Sequence, residues 1–324
     1  MRGSLGGLPL RAALKRGALI TAANWPVILI QFAVGSVYRL AVGVPIVGGA
    51  FVVAILAGAD VRTLLGEDLR AATGLVAAAL VDRPEALSTF LVAVGLVAVG
   101  GASVLFLVQA GIAGVLVRGE QRITSGRTTP LRSSVLSDAN SFGIVEFFDS
   151  GRRLGRRFLL LGGWLCVAYV ALGLLTVAGL WVALALSQRE GWEAAWALGA
   201  LLVTAMALVC LVCLNLVYAL VQVILATDDC RLSQALRRLQ AFVTHDARQV
   251  AGVFGVVLML VLLASAASLL ATAGLALVAW VPFVGLAVVP LQLAAWLVRG
   301  VVFHYMELGA WSAYQSQYRR YAHD

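Results

Sequence analysis

The sequence predicts an all-α, polytopic membrane protein, with about six transmembrane helices and amphipathic helices at the membrane interface. Three observations predict it. Of 324 residues, 61% are hydrophobic and only 12% are charged; soluble chains run at about 45–50% and about 25%. Mean hydropathy is +0.95, and apolar runs long enough for a ~30 Å hydrocarbon core recur along the chain. The formal net charge is +8, and its basic residues gather beside some runs and not others, as in a chain oriented by its cytoplasmic arginines.

The first run follows Arg2, Arg11, Lys15 and Arg16. It continues far beyond the core of a signal peptide, so an uncleaved first crossing is expected at 18–44. Pro45 and the pair Gly48–Gly49 are expected to end that helix, leaving 46–59 interfacial or re-entrant. A single crossing here follows from charge. The stretch 60–85 holds Arg62, Arg70 and Arg83 against Asp60, Glu67, Asp68, Asp82 and Glu85, whereas 118–157 holds eight arginines against four acids. These stretches belong on opposite sides of a membrane. Within the outer stretch, 60–83 reads as a helix with Val61, Leu64, Leu65, Leu69, Ala72 and Val76 on one face.

Further crossings are expected at 86–117, 158–186, 194–226, 249–273 and 283–306. With six crossings and both termini inside, the inner segments carry 18 of the 24 basic residues. The expected location is therefore a bacterial cytoplasmic (inner) membrane, multi-pass, with both termini cytoplasmic. The whole chain, 1–324, reads as one integral membrane domain. Residues 122–141, rich in Ser, Thr, Gly and Pro, read as a flexible inner loop.

Three inner stretches are basic and amphipathic. The first is 8–18, with Leu10 and Leu14 beside Arg11 and Lys15. The second is 142–158, with Ile144, Phe147, Phe148, Leu154 and Phe158 on one face. The third is 231–246, with Leu232, Ala235, Leu236, Leu239, Phe242 and Val243 at helical spacing. Such helices lie in the interface with arginines among phosphates. Small residues stud the second crossing (Gly95, Gly100, Gly101, Gly111, Gly114) and the fifth (Ala264, Ser265, Ser268, Ala271, Thr272). Small stripes let helices approach closely in lipid, so these two are expected inside the bundle.

Candidate functional residues fall into two sets. Arg152, Arg153, Arg156, Arg157, Arg231, Arg237 and Arg238 sit on the inner amphipathic stretches, where planar guanidinium forks match lipid phosphate. Gln31, Arg39, Gln109, Asn215, Gln292, Arg299 and His304 lie within apolar spans. Polar groups there mark a substrate path or bond helix to helix; Glu307 stands at i+3 from His304. Cys210 and Cys213 form a C-x-x-C near mid-span, without the polar neighbours that lower a thiol pKa, and read as structural. Ser103 and His304 lack the surroundings of a catalytic dyad. No metal-ligand spacing and no phosphate-binding loop occur. No catalytic residue, metal or cofactor is expected.

The C-terminal third has a characteristic order. A basic amphipathic segment, Leu232–Val243, leads into a long apolar span. The turn Trp280-Val281-Pro282-Phe283-Val284-Gly285 follows, then a last span closed by Phe303, Tyr305, Tyr314 and Tyr318. This part resembles uncharacterised six-helix bacterial inner membrane proteins, and the membrane domain of some glycerophosphodiester phosphodiesterases. The resemblance implies a helical inner membrane fold. The catalytic barrel of those phosphodiesterases has no counterpart here, so neither activity nor site residues carry over. The expected function is non-enzymatic: an integral membrane protein that binds membrane lipids or other membrane proteins, not nucleic acid, with a role in the envelope. A transporter of a small or lipid-like substrate is the alternative reading, and a membrane enzyme acting on lipid is the second.

Overall fold

The computed structural model of the protein describes residues 10–49, 52, 55, 84–125, 139–187, 193–279 and 284–323. Among them are seven α-helices: α1 (Leu10–Ala23), α2 (Trp25–Val44), α3 (Pro84–Ser125), α4 (Ile144–Ser187), α5 (Glu193–Asp228), α6 (Leu232–Ala279) and α7 (Val284–His323). A π-helical turn, Pro45–Gly49, extends α2. Five helices carry segments long and apolar enough to cross a membrane: Trp25–Gly49, Leu87–Ile123, Ile144–Ala185, Trp196–Asp228 and Leu232–Leu275. The sixth expected crossing, 283–306, falls within α7, which is not among these five. The expected outer helix 60–83 and most of the loop 122–141 lie outside the described residues.

Several helices far exceed a bilayer. α3 has 42 residues and α4 has 44, so each is longer than 60 Å at ~1.5 Å per residue. Residues 122–125, expected in the loop, continue α3.

The chain forms two compact units, one of residues 30–108 and one of 1–29 with 109–324. In the first, the bare backbone of Gly101 accommodates the ring of Tyr38, and Gly49 faces Phe90. Gly95 and Gly100 have no described residue within 4 Å of where a side chain would begin.

In the second unit, α1 packs on α7, α4 on α5, and α6 on α7. The face of α1 at Ala13, Gly17, Ile20 and Thr21 is buried. It touches α7 through Gly17 against Gly309 and Ala313, and through the Tyr305 hydroxyl, which donates to the Ala18 carbonyl at 3.1 Å. The α3–α4 contact uses Gly111 under Phe147 and Gly114 under Ser150. On α6, Ala235, Leu239 and Phe242 are buried, with Phe242 edge-on to Tyr318 at 5.4 Å. All three basic amphipathic segments thus turn apolar residues onto helices of their own chain.

Two boundaries differ from the sequence reading. The first crossing does not start at residue 18, because the helix breaks at Asn24 and restarts at Trp25. Pro26, in the first turn of α2, has no N–H to continue the earlier helix. The third crossing is not separate from the amphipathic stretch before it, because the two form one helix, whereas 231–246 and the fifth crossing are two helical segments that meet at a kink, as expected. Helix α6 bends at Asp246 (φ −116°, ψ 29°), where Thr244 Oγ1 bonds back to the Gln240 and Ala241 carbonyls at 2.9 and 3.0 Å; such back-bonding bends helices. Of the fifth-crossing stripe, Ala264, Ser265 and Ser268 are half-buried, and Ala271 and Thr272 are exposed.

Candidate functional site

The arginine-rich corner is built by the first turns of α4, the end of α5 and the start of α6. Asp228 closes α5, and Asp229 adopts a left-handed backbone (φ 49°), which turns the chain sharply into α6. Aspartate tolerates this region better than most residues. The Gln234 Oε1 accepts from the Arg231 amide at 3.2 Å, satisfying a donor that the new helix leaves orphaned.

The two aspartates gather arginines from three directions. Asp229 accepts from Arg157 Nη1, and Arg153 Nε stands 3.8 Å from its other oxygen. Asp228 Oδ2 accepts from Arg238 Nη1 and from the Tyr318 hydroxyl. Burial, reinforced by this carboxylate, pushes the Tyr318 hydroxyl above its ordinary pKa, so it stays a donor at neutral pH. Burial likewise raises the neighbouring Cys230 thiol. Of the seven candidate arginines, Arg157 and Arg238 therefore donate to the protein's own carboxylates, and Arg153 stands near one without a hydrogen bond. Arg152, Arg156, Arg231 and Arg237 are exposed and make no ion pair among the described residues. Two aspartates thus answer seven arginines.

Beside this corner lies an apolar cavity of about 360 Å³ between α4, α5 and α6. Leu161, Trp164, Leu165 and Ala168 line one wall, Leu214, Val217, Tyr218 and Val221 another, and Leu232 and Leu236 the third.

The polar residues inside the apolar helices do not form one constellation. Gln109 Oε1 accepts from the Tyr218 hydroxyl and Gln222 Nε2, each at 3.0 Å, tying α3 to α5. Asn215 Oδ1 accepts from the Tyr169 hydroxyl at 2.6 Å, tying α4 to α5. His304 Nδ1 lies 3.1 Å from Glu307 Oε2, the pair expected from their spacing. Arg299 stacks over Phe303 of the same helix at 5.6 Å. Gln31 is buried in α2, whereas Arg39 and Gln292 are exposed. Cys210 and Cys213 are exposed free thiols on α5.

A second polar centre holds the N-terminal break. Asn24 is fully buried. Its Nδ2 donates to the Ile20 and Ala139 carbonyls at 2.9 and 3.0 Å, and its Oδ1 accepts from the Ser141 amide and hydroxyl at 3.0 and 3.2 Å. Arg16 Nε pairs nearby in the chain's packing with the nearly buried Glu120 carboxylate at 2.9 Å. Sequence reasoning missed Asp228, Asp229, Tyr318 and this clamp as organisers. The adjacent acids on an arginine-rich segment were the available signal for the first two.

No protein family, curated protein or solved structure matches the chain.

Proposed function

We propose that the protein is a multi-pass integral membrane protein of a bacterial cytoplasmic membrane. It crosses six times with both termini inside, binds anionic phospholipid headgroups and serves envelope organisation without catalysis. One observation carries this reading: Arg152, Arg156, Arg231 and Arg237 are exposed without carboxylate partners among the described residues, at the foot of long apolar helices. Near an anionic surface each such residue contributes about 1 kcal/mol. The polar residues within the spans support it against the transporter reading, because Gln109 and Asn215 spend their groups on ties between neighbouring helices. The order of elements in the C-terminal third, with its likeness to six-helix inner membrane proteins, agrees.

Replacing Arg152, Arg156, Arg231 and Arg237 together by lysine keeps charge and orientation but removes the fork that grips phosphate in two places. The variant is expected to insert normally and to retain about tenfold less phosphatidylglycerol than the wild type in native mass spectrometry, with phosphatidylethanolamine weak in both. Equal phosphatidylglycerol retention by the two proteins would remove the headgroup role.

A further inference from the structure

The apolar cavity and the arginine corner are parts of one another by helical register. On α4, Arg153, Arg157, Leu161 and Leu165 follow at four-residue intervals, and residues so spaced stack along one face. The two arginines that meet Asp229 therefore continue the line of the cavity wall formed by Leu161, Leu165 and Ala168. On α6, Arg231 immediately precedes Leu232, which lines the third wall.

Charge at the mouth is unbalanced. Asp229 is one carboxylate facing two arginines, and Arg231 adds a third positive charge without an ion pair among the described residues. The Arg153 contact, at 3.8 Å, is too long for a hydrogen bond, and its side chain is 51% exposed. Its donors remain available to a phosphate. The lining side chains, by contrast, are aliphatic and aromatic over the stretches from Leu161 to Ala168 and from Leu214 to Val221, about 10 Å along each helix. At the level of Ala168 and Leu214 the Tyr169–Asn215 hydrogen bond joins α4 to α5. A volume of about 360 Å³ falls in the range of small-molecule sites, ~300–1,000 Å³.

We propose that this cavity seats the headgroup-proximal part of one acyl chain of an anionic phospholipid whose phosphate is held at the mouth by Arg153 and Arg231. The inference rests on the headgroup reading above and gives it a defined lipid site. An apolar slot with a cationic rim is complementary to an amphiphile with a negative head. It is a poor match for a zwitterionic lipid, which brings a positive charge to an already positive rim.

Ala168→Trp and Val217→Trp each fill the cavity from an opposite wall without touching an arginine. Both variants, the four-lysine variant and the wild type are placed in nanodiscs of equal phosphatidylglycerol and phosphatidylethanolamine, released into detergent and weighed with bound lipid. The tryptophan variants are expected to retain at least tenfold less phosphatidylglycerol while melting within a few degrees of the wild type. Wild-type retention in a folded tryptophan variant overturns the acyl seat. If only the four-lysine variant loses lipid, the seat is overturned and the headgroup reading stands. If only the tryptophan variants lose it, and without headgroup preference, the seat stands and the headgroup reading falls. A phosphatidylglycerol with a photoactivatable acyl chain tests the wild type directly, whatever the variants' folding. Crosslinks are expected within Leu161–Ala168 and Leu214–Val221, and their absence from both segments overturns the proposal.

Discussion

Gly17→Leu is expected to prevent α1 from docking, leaving little protein that survives detergent extraction as a single species. A Cβ at Gly17 would meet the Gly309 carbonyl oxygen, and would stand 2.8 and 3.1 Å from the Ala313 amide nitrogen and Cα. All three are backbone atoms of α7, so no side chain can swing aside. The helices must separate, which also removes the Tyr305–Ala18 hydrogen bond and the Thr21–Ser312 contact at 3.4 Å. Overpacking typically costs about 1–3 kcal/mol, and a backbone obstacle places this substitution at the top of that range. In lipid, close approach at small residues is itself the source of helix association. Gly100→Leu is the matched control, because no described residue lies within 4 Å of its Cβ position. A thermal-melting series read by size exclusion should show a loss for Gly17→Leu and a near-wild-type midpoint for Gly100→Leu.

Asn24→Leu is expected to be comparably damaging by a different route. Leucine has similar volume but none of the four hydrogen bonds. The Ala139 carbonyl and the Ser141 amide lose their Asn24 partner. The Ser141 hydroxyl still donates to the Val115 carbonyl at 2.8 Å. Each buried group left unsatisfied costs about 1–3 kcal/mol, so two give roughly 2–6 kcal/mol by the same measure. Asn24→Asp should not rescue, because a carboxylate keeps the acceptor for Ser141 but sets a negative oxygen against the Ala139 carbonyl. A double-mutant cycle with Ser141→Ala checks the origin of the loss: strong coupling is expected, and additivity would locate the effect elsewhere.

Much of the architecture was legible because lipid imposes simple rules on a chain. Helical class, five of the apolar crossings and the basic flanks follow from run length and charge alone. Local spacing also exposed the His304–Glu307 pair, whose partners are three residues apart. What escaped was long-range. Asn24 stands beside Trp25 and Pro26 at the start of an apolar run, yet its partners lie 115 and 117 positions away. Arg157 looked free for lipid, yet Asp229, 72 residues on, holds it. No periodicity announces such a contact. The amphipathic faces were visible, but amphipathicity reports only that a face seeks an apolar neighbour. It does not distinguish acyl chains from α7, and α1 and the first half of α6 chose α7. The small-residue stripe of α6 carries the same ambiguity, since Ala and Ser also occur where a helix simply faces lipid.

The account depends on the arginine corner facing the anionic inner leaflet, and sidedness tests that most directly. Single cysteines are placed at Ser125, Gln240, Asp68 and Glu190 in a cysteine-free background and labelled with a membrane-impermeant maleimide. Positions 125 and 240 are expected to label only after the cytoplasmic face is opened, and positions 68 and 190 from the outside in intact cells. Labelling of 68 and 125 from the same side, or of 240 from outside, would contradict the six-crossing topology and remove the arginines from the membrane face where they are proposed to act.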